Sequence, residues 1–222
     1  KNLKFILINK YLRTKFKIKN QDSIILFDAA DYRDFKTSNK KILKKTCFYS
    51  GSFAKGKALE IIYALAKKLP SIDFHLYGNE DTIYDKDKFL SQKNIYFKGY
   101  VKYSKLVNII NQYKVLLMPY KKEVGVLIED INVAKYFSPL KMFEYLAAGR
   151  IIIASDLPVY RNILKNNVNS IVVKDDVNLW EKKVLQSLNS SKFDKLAKIA
   201  RQDSKKYSWK KRVSKIIKFY EK

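Results

Sequence analysis

The sequence predicts an α/β fold in which a parallel sheet carries helices on both faces. Short apolar runs alternate with longer segments of helical period, and the alternation is sustained from Thr46 onward. Successive β-α units of this kind place their crossover helices on the two faces of a parallel sheet. The chain also has the bulk for a core: of 222 residues, 47% are hydrophobic, which excludes disorder as its main description.

Taken in order, the first expected strand is Leu3–Asn9, built on Phe5-Ile6-Leu7-Ile8, and the second is Ser23–Phe27. They belong to an N-terminal β-α-β piece, joined to the main domain by the irregular stretch Ala29–Lys45. Strand Thr46–Ser50 leads into helix Lys57–Lys68, where Ala58, Ile61, Ile62 and Leu65 fall on one face. Strand Ile72–Tyr77 places His75 on the alternate face from Phe74 and Leu76, a structural position. Strand Ile95–Phe97, helix Tyr103–Gln112 and strand Val115–Met118 follow. Tyr120–Phe137 has no clear period, and a loop that long inside a compact domain is often functional or mobile. Helix Pro139–Ala148, strand Ile151–Ala154, helix Pro158–Leu164 and strand Ser170–Val173 continue the alternation. Helices Leu179–Ser187, Lys192–Lys205 and Trp209–Tyr220 end it. There is no internal repeat. Ligands of such sheets bind beyond the carboxyl ends of the strands, where strand order reverses.

Composition removes several chemistries. A lone cysteine, Cys47, excludes an intrachain disulfide and a cysteine zinc site. A lone histidine, His75, excludes His-pair metal sites and Ser-His-Asp triads within the chain. The 46 basic residues exceed the 21 acidic ones for a net charge of +25, and only six of the basics are Arg. Such a chain attracts nucleic acid, anionic lipid or phosphorylated ligands. The excess of Lys over Arg argues against specific nucleic-acid reading, which favours the planar guanidinium. No apolar stretch approaches the roughly 20 residues of a membrane span. With a reduced cysteine and no export signal, the expected compartment is the cytoplasm. The chain begins at Lys1, directly at an apolar run, as expected of an entry point partway through a longer protein.

Three stretches carry chemistry. Gly51-Ser-Phe-Ala-Lys55-Gly56-Lys57-Ala58 follows a strand and opens a helix. Glycine permits close backbone approach, a helix N-terminus offers free N–H groups, and Lys55 and Lys57 add charge, so the loop suits a phosphate or diphosphate. The same stretch also reads as an ordinary strand-to-helix turn. Its Gly-x-x-x-x-Gly-Lys spacing resembles a P-loop, but Ala58 stands where the magnesium-binding hydroxyl belongs. The second stretch is Ser138-Pro139-Leu140-Lys141-Met142-Phe143-Glu144-Tyr145-Leu146-Ala147-Ala148-Gly149-Arg150. Ser138 suits the N-cap, Pro139 the first helical position and Gly149 the end. Leu140, Phe143 and Ala147 form an apolar stripe. Lys141 and Glu144 share a face, and the two suit a nucleotide: phosphate at the helix N-terminus and Lys141, ribose hydroxyls at the carboxylate. A plain surface Lys–Glu pair is the bland alternative. In the third stretch, Ile151-Ile-Ile-Ala154-Ser155-Asp156 brings Ser155 and Asp156 to the carboxyl edge of the sheet.

Residues 138–161, SPLKMFEYLAAGRIIIASDLPVYR, resemble the donor-site core of GT-B glycosyltransferases of the retaining family 4, also called group 1. Tyr49-Ser-Gly-Ser52 with Lys55-Gly56, Tyr96-Phe-Lys-Gly99-Tyr100-Val101, Leu117-Met-Pro-Tyr120 and Tyr207-Ser-Trp209 extend the resemblance in the right order. It implies a Rossmann-like parallel sheet forming the C-terminal half of a GT-B fold. Residues 1–45 would be the end of an N-terminal domain and the linker, 46–206 the nucleotide-sugar-binding domain and 207–222 the C-terminal helix. The implied reaction transfers a sugar from a nucleotide-diphosphate donor, UDP- or GDP-linked, to an acceptor hydroxyl in polysaccharide or lipopolysaccharide synthesis. Lys55, Lys141 and Glu144 would be its catalytic groups: Lys55 on the diphosphate, Glu144 on the ribose. Gly51 and Ser52 would let the backbone approach the diphosphate, and Val101 would meet the base. Ser138, Leu140 and Lys141 would hold phosphate and sugar.

Tyr136 stands where the family has the first Glu of a pair and is included in the expected substrate site. Ser52 stands where an Arg is common. No cofactor or metal is expected; Asp85-Lys86-Asp87 imitates a metal motif of another fold and lies outside the expected site. The missing N-terminal acceptor domain is an implied partner, and without it the chain is expected to be inactive. The basic surface would help the full enzyme sit on an anionic membrane. Rival readings are a sugar-nucleotide 2-epimerase, a P-loop NTPase and a non-enzymatic basic module for nucleic acid or membrane.

Overall fold

The computed structural model describes residues 3–35, 42–54, 56–122 and 136–221. Its main sheet has six parallel strands in the order β5-β4-β3-β6-β7-β8: β3 (Leu43–Ser50), β4 (Asp73–Tyr77), β5 (Ile95–Phe97), β6 (Tyr113–Met118), β7 (Ile151–Ser155) and β8 (Ile171–Val173). The order reverses between β3 and β6, which places a ligand crevice above their carboxyl ends. Strand residues alternate between two cores, as a sheet buried on both faces requires. Cys47 and Tyr49 of β3, Val115 and Leu117 of β6, and Ile151 and Ile153 of β7 face one core. Phe48, Leu116, Met118, Ile152 and Ala154 face the other.

Helices cover both faces. α2 (Leu59–Lys68) and α6 (Val177–Asn189) pack on the first core with α3 (Lys86–Leu90) at its edge. α4 (Tyr103–Ile109), α5 (Leu140–Ala148) and α7 (Asp194–Ser204) pack on the second. Most expected elements appear within a few residues of their predicted bounds. α2 starts at Leu59 rather than Lys57, because Ala58 takes a left-handed conformation (φ 50°) that the helix cannot include. The expected helix at Pro158–Leu164 is only a 3₁₀ turn, Pro158–Tyr160. α3 lies in a charged stretch for which no helix was expected.

A second, two-stranded parallel sheet pairs β1 (Phe5–Leu7) with β2 (Ser23–Ile25) across α1 (Lys10–Lys15). α8 (Trp209–Tyr220) crosses to it: Lys4 Nζ donates to the Phe219 carbonyl at 2.9 Å, and Arg212 Nε to the Phe27 carbonyl at 3.0 Å. Between the sheets, the Asp28 N–H donates to Ser138 Oγ at 3.3 Å and the Ala30 N–H to the Tyr207 carbonyl at 3.0 Å.

Candidate functional site

The carboxyl ends of β3, β4 and β6, the segment after β5 and the N-terminus of α5 enclose a cleft of about 460 Å³. It lies at the reversal of strand order, where the topology predicts it. Gly51, Ser52, Val101, Leu140, Lys141 and Glu144, all expected site residues, line it together. Ser138 and Tyr136 do not. The Ser138 hydroxyl accepts the Asp28 N–H instead of capping α5, and Pro139 occupies the cap position. Lys15 Nζ lies 4.5 Å from the centre of the Tyr136 ring, on the side of the N-terminal piece. Lys55 and most of the Tyr120–Phe137 loop lie outside the described residues.

The glycines here answer to backbone crowding. Gly51 has φ 139°, and a Cβ on it would lie 2.5 Å from Lys141 Nζ. A Cβ on Gly78 would lie 2.0 Å from the Gly51 carbonyl oxygen. The two strand ends thus pack backbone to backbone, with the Gly51 N–H donating to the Tyr77 carbonyl at 2.9 Å. Sequence reasoning missed Gly78 and Asn79, although a glycine directly after a strand was the signal that found Gly51.

The helix N-terminus that reaches the cleft belongs to α5, not to α2. Pro139, Leu140 and Lys141 line the cleft, and no side chain caps the first turn of α5. Free N–H groups and the helix dipole there favour an anion. No residue of α2 lines the cleft; ahead of that helix the Lys121 N–H donates to the Gly56 carbonyl at 3.1 Å. Along α5, Met142, Phe143, Tyr145, Leu146, Ala147 and Ala148 form the core face. Leu140, expected on the apolar stripe, is instead 50% exposed in the cleft.

Lys141 is buried, and its Nζ has no hydrogen-bond partner. The ammonium sits 3.9 Å from the Tyr49 ring centre and 5.3 Å from that of Tyr120. Lys57 Nζ lies 4.8 Å from the same Tyr120 ring. Burial, and then Lys57, push the Lys141 pKa well below its ordinary value, against an opposing pull from Glu144. Burial likewise lowers Lys57 and raises Glu144, with Lys141 opposing the latter shift. An anion bound beside Lys141 would supply the hydrogen-bond partner that its Nζ lacks and favour its charged form.

His75 is structural, as expected: its Nδ1 lies 2.8 Å from the Tyr113 hydroxyl, which lies 3.0 Å from that of Tyr77. Among the described residues, no group of three or more His, Cys, Asp or Glu side chains could hold a metal ion.

No curated protein sequence matches the chain. Its fold matches HepE from Anabaena, solved with UDP and glucose, at a TM-score of 0.79 and 13% identity, covering 99% of this chain and 63% of that one. It matches TarM from S. aureus, solved with UDP among its ligands, at 0.74 and 17%, covering 99% and 44%. It matches WaaG, a glycosyltransferase of lipopolysaccharide biosynthesis, at 0.72 and 15%, covering 98% and 63%. The chain spans less than two thirds of each, and at these identities the likeness establishes the fold, that of the GT-B glycosyltransferases. Residues 57–218 match the sequence profile of the family described as glycosyl transferase-like, and on that match the chain belongs to the glycosyl transferase-like family.

Proposed function

We propose that the chain is the donor-binding part of a retaining glycosyltransferase that takes a nucleoside-diphosphate sugar. The observation that carries this is Lys141: a buried amine without a hydrogen-bond partner at the N-terminus of α5, with Glu144 one turn further along in the same cleft. The diphosphate would meet Lys141, the free N–H groups of α5 and the close backbone at Gly51 and Ser52. Glu144 would accept the ribose hydroxyls, and Val101 would meet the base. HepE, TarM and a pneumococcal O-GlcNAc transferase were each solved with UDP, which favours a UDP-sugar donor. Lys55 is proposed as a further diphosphate ligand from the sequence resemblance alone.

In this reaction the bond from the sugar C1 to the diphosphate oxygen breaks and one to the acceptor oxygen forms on the same face. The acceptor proton passes to the departing phosphate, so no protein nucleophile is required. Lys141 and the α5 N–H groups lower the barrier by holding positive charge where the leaving group becomes negative. Residues 1–45 are read as the end of an acceptor domain plus linker, 46–206 as the donor domain and 207–222 as the returning helix. The β1–β2 sheet has too few strands for independent stability, and Leu3 is 72% exposed beside it, which supports a further domain there. Acceptor selection would belong to that domain, in cytoplasmic polysaccharide or lipopolysaccharide synthesis, and the chain alone should transfer no sugar.

Calorimetric titration with UDP, GDP and ADP, without metal, tests the reading. One nucleotide should bind, and Lys141→Ala and Glu144→Ala should each weaken it about 10- to 150-fold, the loss of a charge-assisted contact. Equal affinity in the wild type and both variants would remove the site from this cleft.

A further inference from the structure

Tyr49 is wholly buried and precedes the last residue of β3. It touches both walls of the donor cleft. Its ring centre lies 3.9 Å from the Lys141 amine, on the side of α5. Its hydroxyl donates to the Ser52 carbonyl at 2.8 Å, on the side of the loop after β3. Gly51 lies between the two: a Cβ there would be 2.5 Å from Lys141 Nζ and 3.4 Å from the Tyr49 hydroxyl oxygen. Amine, hydroxyl and loop backbone therefore converge on one point.

The loop is held one peptide at a time. The Gly51 N–H donates to the Tyr77 carbonyl at 2.9 Å, and the Phe53 N–H to Thr82 Oγ at 2.9 Å. Thr82 is set in turn by its bond to the Asn79 carbonyl at 2.7 Å. The peptide joining Ser52 to Phe53 is thus fixed at both ends, by Tyr49 at its carbonyl and by Thr82 at its N–H. Between these ties the Ser52 N–H has no partner among the described residues, and Ser52 lines the cleft. A free donor on an otherwise fixed loop stabilises a leaving anion well, because its orientation is set before the charge develops.

We propose that Tyr49 is a positioning residue for the donor diphosphate, setting Lys141 with its ring and the Ser52 loop with its hydroxyl. The inference rests on the reading of this cleft as the diphosphate site. A buried tyrosine hydroxyl needs a partner somewhere, and simple packing would be served by any acceptor. Here the hydroxyl takes the carbonyl of a cleft residue, while the ring meets a buried amine that has no hydrogen-bond partner. A phenylalanine would fill the same core space without reaching the loop, and an aliphatic side chain would offer the amine no ring. The two contacts act at different stages. The hydroxyl holds the loop in shape before the ligand arrives. The ring acts once the ligand is bound, because the adjacent anion favours the charged amine and the ring face attracts it.

Calorimetry of the full chain with UDP, and NMR titration with uridine, test the two contacts. Tyr49→Phe keeps the ring and loses the loop tie; it should weaken UDP binding about 3- to 10-fold, the worth of one hydrogen bond. Tyr49→Leu loses both contacts and should weaken it about 10- to 100-fold. In a Lys141→Met background, Tyr49→Leu should cost no more than Tyr49→Phe, because the amine beside the ring is gone. Thr82→Val releases the same peptide from its other end and should match Tyr49→Phe, a measurement that stands even where a Tyr49 variant folds poorly. Uridine carries no phosphate, so its affinity should be the same throughout. Wild-type UDP affinity in a folded Tyr49→Phe, or in Thr82→Val, would overturn the proposal. So would a uridine loss as large as the UDP loss, the mark of a cleft distorted as a whole, or an undiminished Tyr49→Leu effect beside Lys141→Met. The donor reading fails separately, on unchanged UDP affinity in Lys141→Ala and Glu144→Ala.

Discussion

Lys141 is a buried amine for which the folded chain supplies no hydrogen-bond partner. Four groups face it: the Tyr49 ring from β3, the Tyr120 ring after β6, Lys57 ahead of α2, and Glu144 on α5 itself. Burial and Lys57 depress its pKa, so the unfolded chain holds this proton more tightly than the folded one. The group therefore subtracts stability as pH falls below the ordinary lysine value, and the loss levels off below its folded pKa. A bound diphosphate reverses the sign, because an adjacent negative charge raises the pKa. Between the free and bound pKa values, binding should take up a proton, and affinity should fall as pH rises through the bound value. Titration in two buffers of different ionisation enthalpy measures that uptake. Lys141→Met should abolish it and raise the stability of the unliganded chain by about 1–3 kcal/mol, since an apolar side chain replaces a buried amine that makes no hydrogen bond. The same uptake in the variant would place the proton elsewhere. At this scale the sequence was informative for Gly51, Lys141 and Glu144, whose residue types alone suit a nucleotide. It placed Tyr120 only as the end of Leu117-Met-Pro-Tyr120, with no role, and was silent on Gly78; the roles of both come from neighbours distant in the chain.

α5 connects the site to the sheet. Its start was misread because Ser138 is a good cap in isolation, yet its hydroxyl is taken by Asp28 from 110 residues away. Its end was legible, because Gly149 adopts φ 62° there, a local requirement. Arg201 of α7 donates to the Ala147 carbonyl and fixes that end from outside. At the cleft end, the buried Ser50 N–H donates to the Tyr145 hydroxyl at 3.0 Å, which ties α5 to β3 one residue before Gly51. Tyr145→Phe leaves that N–H without a partner and should cost about 1–3 kcal/mol of stability in urea unfolding. Nucleotide affinity should fall as well, because the Gly51 backbone loses its anchor. Unchanged stability together with unchanged affinity would show that the strand end holds itself in place. The alternating strands were legible because period-2 burial is written in adjacent residues, such as Cys47, Phe48 and Tyr49. α3 was not legible: it buries only Phe89, too little for a helical pattern to show.

For the molecule as a whole, the main sheet was legible and the closure of the chain on itself was not. The β-α alternation from Thr46 specifies the parallel sheet through local pattern and the right-handed crossover rule. The return of α8 rests on contacts such as Lys4 with Phe219, 215 positions apart, which no window of sequence contains. Arg212 is the charged tie to the segment after β2, since Nε donates to the Phe27 carbonyl at 3.0 Å and Nη2 to the Leu26 carbonyl at 3.4 Å. The other ties of this corner to α8 are the bonds between Lys4 and the Phe219 and Tyr220 carbonyls and from the Tyr220 hydroxyl to the Lys4 carbonyl, and two short strands cannot bury both of their faces. Arg212→Ala should therefore open this corner alone. Each charge-assisted bond is worth about 1.5–3 kcal/mol, so hydrogen exchange at the paired amides of β1 and β2 should speed up at least about tenfold. Amides of β3, β6 and β7 should keep their protection, because their stability comes from the two cores on either side of the main sheet. Faster exchange throughout the main sheet would mean that the two sheets fold as one cooperative unit, against the reading of residues 1–45 as part of a separate domain.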